Sequence, residues 1–425
     1  MSSRRPAPRC VLGALGAAGI LAAALPAGAQ DDPLDRVDEA LALSGWNDSV
    51  RMRLSGTLDL EGYYQSQQQS GLIFSESPEF FNPRLSLFLD AQIGPRLYAF
   101  VQARADNGFD PDEPGRRERL DEYVIRFTPF DDGRLNFQVG KFATVVGNWT
   151  LRHGSWDNPF VTAPLPYENL TGIWDTTAAH AGGEVMAWAG VIPRPDTGGR
   201  LLDSYRSVPV IWGPSYASGA SVFGQVGILE YAFEVKNTSL SSRPETWAPT
   251  ETQWQNPTFS GRIGFVPNEM WNVGFSASAG SYLQPEADAT LAPGRGLGNY
   301  LEIVLGQDAS FAWHHMQLWA EVYEARFEIP GVGDADTLAY YIEAKYKFTP
   351  QFSGAIRWNE QLFSNLPTQA GGGANWSRDV ARVDIGPAYR LTPHLQVKLQ
   401  YSLERQEADM ARWSDLVAVQ FTARF

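Results

Sequence analysis

Arg152, His153, Asp157 and Glu168 stand close together in one aperiodic stretch, interleaved with Trp149, Trp156, Phe160 and Tyr167. Four ionisable groups of both signs can set the charge of a narrow polar passage, or act as general acid and base. Arg152-His153 is the best chemical pair in the chain, but catalysis needs more than this stretch contains. No G-x-S-x-G or H-E-x-x-H motif occurs anywhere in the sequence. Of the other histidines, His180, His314, His315 and His394 fall at or beside expected turns, and neighbours such as His314 and His315 face opposite sides of a strand. The glycine-rich GRGLG at Gly294–Gly298 precedes a strand, so it has no helix end to cradle phosphate. The only cysteine, Cys10, lies ahead of an N-terminal apolar run, which excludes disulfides and thiolate metal sites in a processed chain. The pattern therefore predicts lining rather than catalysis, with no enzyme activity, cofactor or metal.

The strand-like segment RLNFQVGKF (134–142) leads into this stretch, with Leu135, Phe137 and Val139 on one face. From about Ala143 to Leu170 the alternation stops and Gly147, Gly154, Pro159, Pro164 and Pro166 punctuate the chain. A loop of that length is functional or disordered. Its aromatic surface is too large to leave in water, which predicts an ordered, packed loop.

Residues 1–29 read as a Sec signal peptide: Arg4, Arg5 and Arg9, an apolar run from Val11, and Ala27-Gly28-Ala29 as the cleavage site. Residues 30–50 form a short acidic segment with room for two turns of helix, and residues 51–425 hold everything else. Without the signal the chain carries 31 basic and 48 acidic residues, a balance that argues against a nucleic-acid partner. No later run of 18 apolar residues exists, so no spanning helix is expected.

The remainder is a series of alternating segments joined in turn by short and long connections. Short turns include IGPR, TPFDDG, HAGG, GQVG, VPNE, AWHH, TPQ and TPH; longer polar loops join the opposite ends. The series predicts an all-β fold, a transmembrane antiparallel β-barrel of about 16–18 strands with short periplasmic turns and long external loops. The HAGG hairpin, Gly172–Ala179 with Glu184–Val191, is the least regular. A soluble propeller or β-helix would need a fixed repeat, and none is present. Aromatics such as Trp271, Tyr346, Phe352 and Tyr389 on the apolar face fit interfacial girdles. By parity, Arg84, Arg104, Arg126, Arg357, Arg382 and Asp384 face the lumen, alongside Arg53, Asp59, Glu61, Glu321, Glu343 and Glu404.

The last strand, LVAVQFTARF, puts Phe421 and Phe425 on the apolar face and ends the chain on Phe. It resembles the assembly signal of Gram-negative outer-membrane proteins, which implies insertion by the barrel-assembly machinery among outer-membrane lipids. The stretch LDEYVIRFTPFDDGRLNFQVGKF, followed by GNW and DNPF, resembles phosphate-selective porins of the O and P type. It departs from them in lysine: only Lys141, Lys236, Lys345, Lys347 and Lys398 are present. In position, length and composition the aperiodic stretch also resembles the third loop of general porins. These resemblances imply a porin of the cell outer membrane, passing small hydrophilic solutes or ions by passive diffusion; a homotrimer is a possible assembly, on which the sequence says little. They place Arg152, His153, Asp157 and Glu168 at the constriction. The alternative is a closed-lumen barrel acting as adhesin, receptor or enzyme.

Overall fold

The computed structural model describes residues 33–45, 49–73, 75, 77–109, 111, 117–191, 206–250, 254–367, 372–407 and 412–425. The expected signal peptide, with Cys10, lies outside the described residues. Helix α1 (Pro33–Ala40) realises the expected turns of helix, and a short strand, Ala42–Gly45, pairs antiparallel with residues 50–53.

Sixteen strands then run in sequence order, each antiparallel to the next. They are β1 (Val50–Gln65), β2 (Glu79–Ile93), β3 (Leu97–Asp106), β4 (Arg117–Phe127), β5 (Asn136–Lys141) and β6 (Ser218–Val226). Next come β7 (Leu229–Lys236), β8 (Thr258–Asn268), β9 (Trp271–Ser281), β10 (Leu301–Trp313) and β11 (Met316–Ile329). The series ends with β12 (Gly333–Lys347), β13 (Phe352–Phe363), β14 (Asp379–Arg390), β15 (Leu395–Glu407) and β16 (Arg412–Arg424). β16 pairs with β1 from Leu416↔Gln65 to Arg424↔Thr57, so the sheet closes and leaves no edge.

Alternation explains both faces. Along β12, Thr337, Ala339, Tyr341 and Glu343 are buried inward while Ile342 and Tyr346 are exposed outward. Polar groups inside and apolar groups outside invert the pattern of a soluble protein and match a barrel whose outer wall meets lipid. Trp271, Trp313, Tyr346, Phe352 and Tyr389 form an outward aromatic row near the short-turn end. At the seam, the Phe425 and Gly56 backbones exchange two hydrogen bonds, 2.8 and 3.0 Å. A Cβ at Gly56 would meet the Phe425 ring at 2.6 Å, so glycine there makes room for the terminal aromatic.

Two expected segments differ. The HAGG hairpin is not formed: residues 182–188 are helix α2 (Gly182–Trp188), whose Val185 and Met186 are fully buried. Trp188 stacks on Trp174 with ring centroids 4.4 Å apart, and Glu184 accepts the His180 N–H. The segment before the GQVG turn reads as a strand from Val208 to Phe223 in the sequence, but the strand begins only at Ser218. Residues 208–213 instead form a return limb inside the barrel: Ile211 donates to the Pro166 carbonyl at 3.1 Å and Gly213 to the Tyr167 carbonyl at 2.9 Å. Apolar residues buried on all sides read as a strand in sequence, but here tertiary packing replaces the ladder. The long loop therefore spans residues 142–217.

Candidate functional site

The first limb of this loop enters the lumen and lies against β11–β15. An aperiodic chain cannot satisfy its own backbone groups, so the wall must do so. Gln400 Oε1 accepts the Val161 and Thr162 amides at 2.7 and 3.1 Å, and Lys398 donates to the Asn158 carbonyl at 2.8 Å. Arg357 donates to the Thr162 and Ala163 carbonyls, and Arg382 to the Ala163 carbonyl at 2.7 Å. The Glu321 carboxylate accepts the Trp149 amide at 2.7 Å and the Tyr167 hydroxyl at 2.6 Å, and also bonds Asn148 N and Tyr323 OH. The close approach depends on Gly147, with φ +77°: a Cβ there would meet Tyr323 Oη at 2.0 Å. The second limb, with α2, fills the loop end above β9–β13. Val185, Met186, Val208, Phe327 and Trp376 form one core there.

Across the lumen the loop touches β1–β4 at few points, and a cavity of about 800 Å³ runs beside them. Its lining extends from Leu72, Phe109 and Gly213 near the loop end to Arg53, His394 and Phe425 near the short-turn end. The free wall carries a row of ion pairs. Arg84 contacts Glu61 at 2.7 Å and Asp59 at 3.1 Å. Asp106 bridges Arg104 and Arg119 at 2.7 and 2.9 Å, and Arg119 reaches Asp121 at 2.7 Å. Ser155 at the loop tip donates to Asp59 at 2.9 Å, so the loop crosses from one wall to the other. Leu151, also on the tip, points into the cavity and is 82% exposed.

No family model matches the sequence, and no curated protein matches it. Solved structures do match in fold. OmpF of Salmonella typhi, in complex with daunomycin, aligns over 90% of this chain and 100% of its own, with TM-score 0.56 and 13% identity. An anion-selective porin from Comamonas acidovorans aligns over 88% and 100%, with TM-score 0.54 and 11% identity. The outer-membrane channel DcaP of Acinetobacter baumannii aligns over 90% and 100%, with TM-score 0.52 and 9% identity. The fold is that of the outer-membrane porins.

Within this porin fold the residues singled out in the sequence separate into four groups. His153, Asp157 and Glu168 line the cavity, as do Arg84, Arg104 and Arg382. Arg152 does not; it turns into the wall, donating to Glu343 at 2.6 Å and the Tyr341 hydroxyl at 3.0 Å, with its guanidinium 4.3 Å from the Trp319 ring centre. Arg357 and Asp384 face inward but lie beneath the loop, paired at 2.8 Å. Arg126 also faces inward, near the short-turn end and outside the cavity lining, held by Gln138 and the Tyr98 and Phe223 rings. Arg119 and Asp121 escape a parity reading because the β3–β4 register shifts between Gln102 and Ala103, flipping the faces above it. Their charge was the available signal, since strict parity would have turned both to lipid.

Burial sets the loop's ionisation. The His153 imidazole is pushed down; it is the neutral form that donates from Nδ1 to the Thr150 carbonyl and accepts the Tyr216 hydroxyl at Nε2, both at 2.5 Å. Burial raises Glu168 from 4.5 to about 7, although Arg382 lies 2.7 Å away. It likewise raises Asp175 from 3.8 to about 6, beside Arg243 at 2.5 Å. Both carboxyls hold protons more tightly docked than undocked, so this contribution is full in acid and fades as pH rises through about 6 to 7. The neutral His153 works the other way, so in a His153→Gln variant loop-dependent current fluctuations should quieten on acidification from neutral pH. Recordings that grow noisier in acid would contradict this assignment.

Proposed function

We propose that this chain is an outer-membrane porin, a passive channel for small hydrophilic solutes or ions narrowed by its inward-folded third loop. The observation that carries this reading is the cavity beside β1–β4, whose lining includes residues near the loop end and near the short-turn end. Short turns face the periplasm and long loops face outward. The loop and the Arg84, Arg104 and Arg119 row together define the narrow section, where charge acts strongly because the low-dielectric wall focuses the field. A phosphate-selective ladder is not part of the proposal, since no lysine lines the cavity. The outward apolar belt meets outer-membrane lipids, and a homotrimer would bury part of it.

Purified protein in a planar bilayer should give discrete, ohmic conductance steps. Arg104→Glu should move the reversal potential toward cations. A barrel that inserts but passes no current would favour the closed-lumen adhesin, receptor or enzyme reading. The terminal strand is the proposed recognition element for the barrel-assembly machinery. Phe425 removal strips the ring from Gly56, so outer-membrane levels should fall while signal cleavage stays normal. Unchanged surface levels, measured by fractionation and blotting, would refute that role for Phe421 and Phe425.

A further inference from the structure

The lumen of a membrane barrel is polar as a rule, yet the free wall of this cavity is not uniformly so. Phe80, Phe88 and Phe100 point inward and line it, at positions whose neighbours on the same face are Asn82, Arg84, Ser86, Gln102 and Arg104. All three rings are partly exposed. Phe88 and Phe100 lie nearly parallel, with centroids 6.2 Å apart and planes at 17°. Their place in the register is informative. Phe88 pairs with Gln102 and Phe100 with Asp90, so the two rings form a diagonal shelf. Above it stand Arg84 and Arg104, and below it Asp90 pairs in register with Arg53.

Two further features narrow the ligand class. Among the described residues the cavity is lined by six arginines and six aspartate or glutamate side chains, so neither sign dominates it. The Arg84, Arg104 and Arg119 guanidinium groups are already engaged by carboxylates and are no more than about a fifth exposed. The surface between these ion pairs and the short-turn end is therefore largely aromatic. Leu151, on the loop tip that lines the same cavity, adds an exposed apolar side chain to it.

We infer that the Phe88–Phe100 shelf is a binding site within the passage for small aromatic solutes of no net charge. Such a solute lays its ring on the shelf, and its polar groups meet the ion pairs above and the Arg53 and Asp90 positions below. Aromatic rings gain from offset stacking beyond the area they bury, and a zwitterion suits a wall of alternating sign. This inference rests on the channel reading and adds a solute class to it.

The test is block of ion current by L-tryptophan in a planar bilayer at neutral pH, with L-leucine and D-glucose as comparisons. L-tryptophan should interrupt the current in a saturable way, and L-leucine at the same concentration should not. The variant F88L/F100L keeps an apolar lining and removes both rings; tryptophan residence times should fall about tenfold. Equal block by L-leucine, or block by D-glucose and not by L-tryptophan, would overturn the assignment to an aromatic solute. So would an unchanged residence time in a doubly substituted channel that still conducts potassium chloride. In each of those cases the channel itself stands. Absence of any current in the unaltered protein would instead remove the channel reading on which the inference depends.

Discussion

Replacing residues 149–166 with a short glycine-serine link should raise single-channel conductance severalfold. That segment fills the space between β11–β15 and the free wall, and its removal widens the passage beside β1–β4 while α2 and residues 208–213 stay in place. The barrel should survive, because its closure at β16–β1 and its outer face do not involve the loop. Glu343, Arg357, Arg382 and Asp384, now bonded to the loop or beneath it, would become hydrated lumen charges. Conductance should thus rise together with a change in reversal potential. Retained heat-modifiable migration would show that the barrel is intact. An intact barrel with unaltered conductance would mean that the loop lies outside the permeation path.

The second large effect is expected at Arg152. Its side chain does not face the solute path, so Arg152→Ala should act on loop docking. The ion pair with Glu343 is buried, and although Arg357 still reaches that carboxylate at 3.4 Å, losing the closer partner leaves it under-compensated, at a cost of at most about 3–5 kcal/mol. Arg152→Ala should therefore give a larger, flickering conductance. The double variant Arg152→Met with Glu343→Leu should be quieter than the single one, since it removes the under-compensated carboxylate while Arg357 keeps Asp384 at 2.8 Å. A simple shift in ion preference without flicker would show that Arg152 lines the passage after all.

Much of the architecture is legible in the sequence because a barrel writes it in period two. The turn chemistry, the outward aromatics and the terminal Phe425 needed no tertiary information. The loop interior was not legible in this way. Nothing local distinguishes Gln400, Lys398 and Asn359, whose side chains bond the loop, from inward polar groups that meet water. Arg152 and His153 are adjacent in sequence yet face opposite sides of the loop, toward Glu343 and toward the cavity. Residues 208–217 mimic a strand because they are buried on every side. The Phe88–Phe100 shelf was hidden for a related reason: an inward phenylalanine reads as a break in alternation until both walls are in place.

The central claim is that solutes pass beside β1–β4 and that the loop seals off β11–β15. Thiol access tests it most directly, because Cys10 is the only cysteine in the sequence and falls in the expected signal peptide. Thr57 and Leu151 line the cavity, whereas the side chain of Gln361 is fully buried behind the loop, bonded to Asn169 at 2.9 Å. With Thr57→Cys or Leu151→Cys, a charged methanethiosulfonate reagent should lower the conductance of an open channel. With Gln361→Cys it should have no effect until the loop is shortened. Rapid modification of Gln361→Cys in the full-length channel, with Thr57→Cys unaffected, would contradict the account.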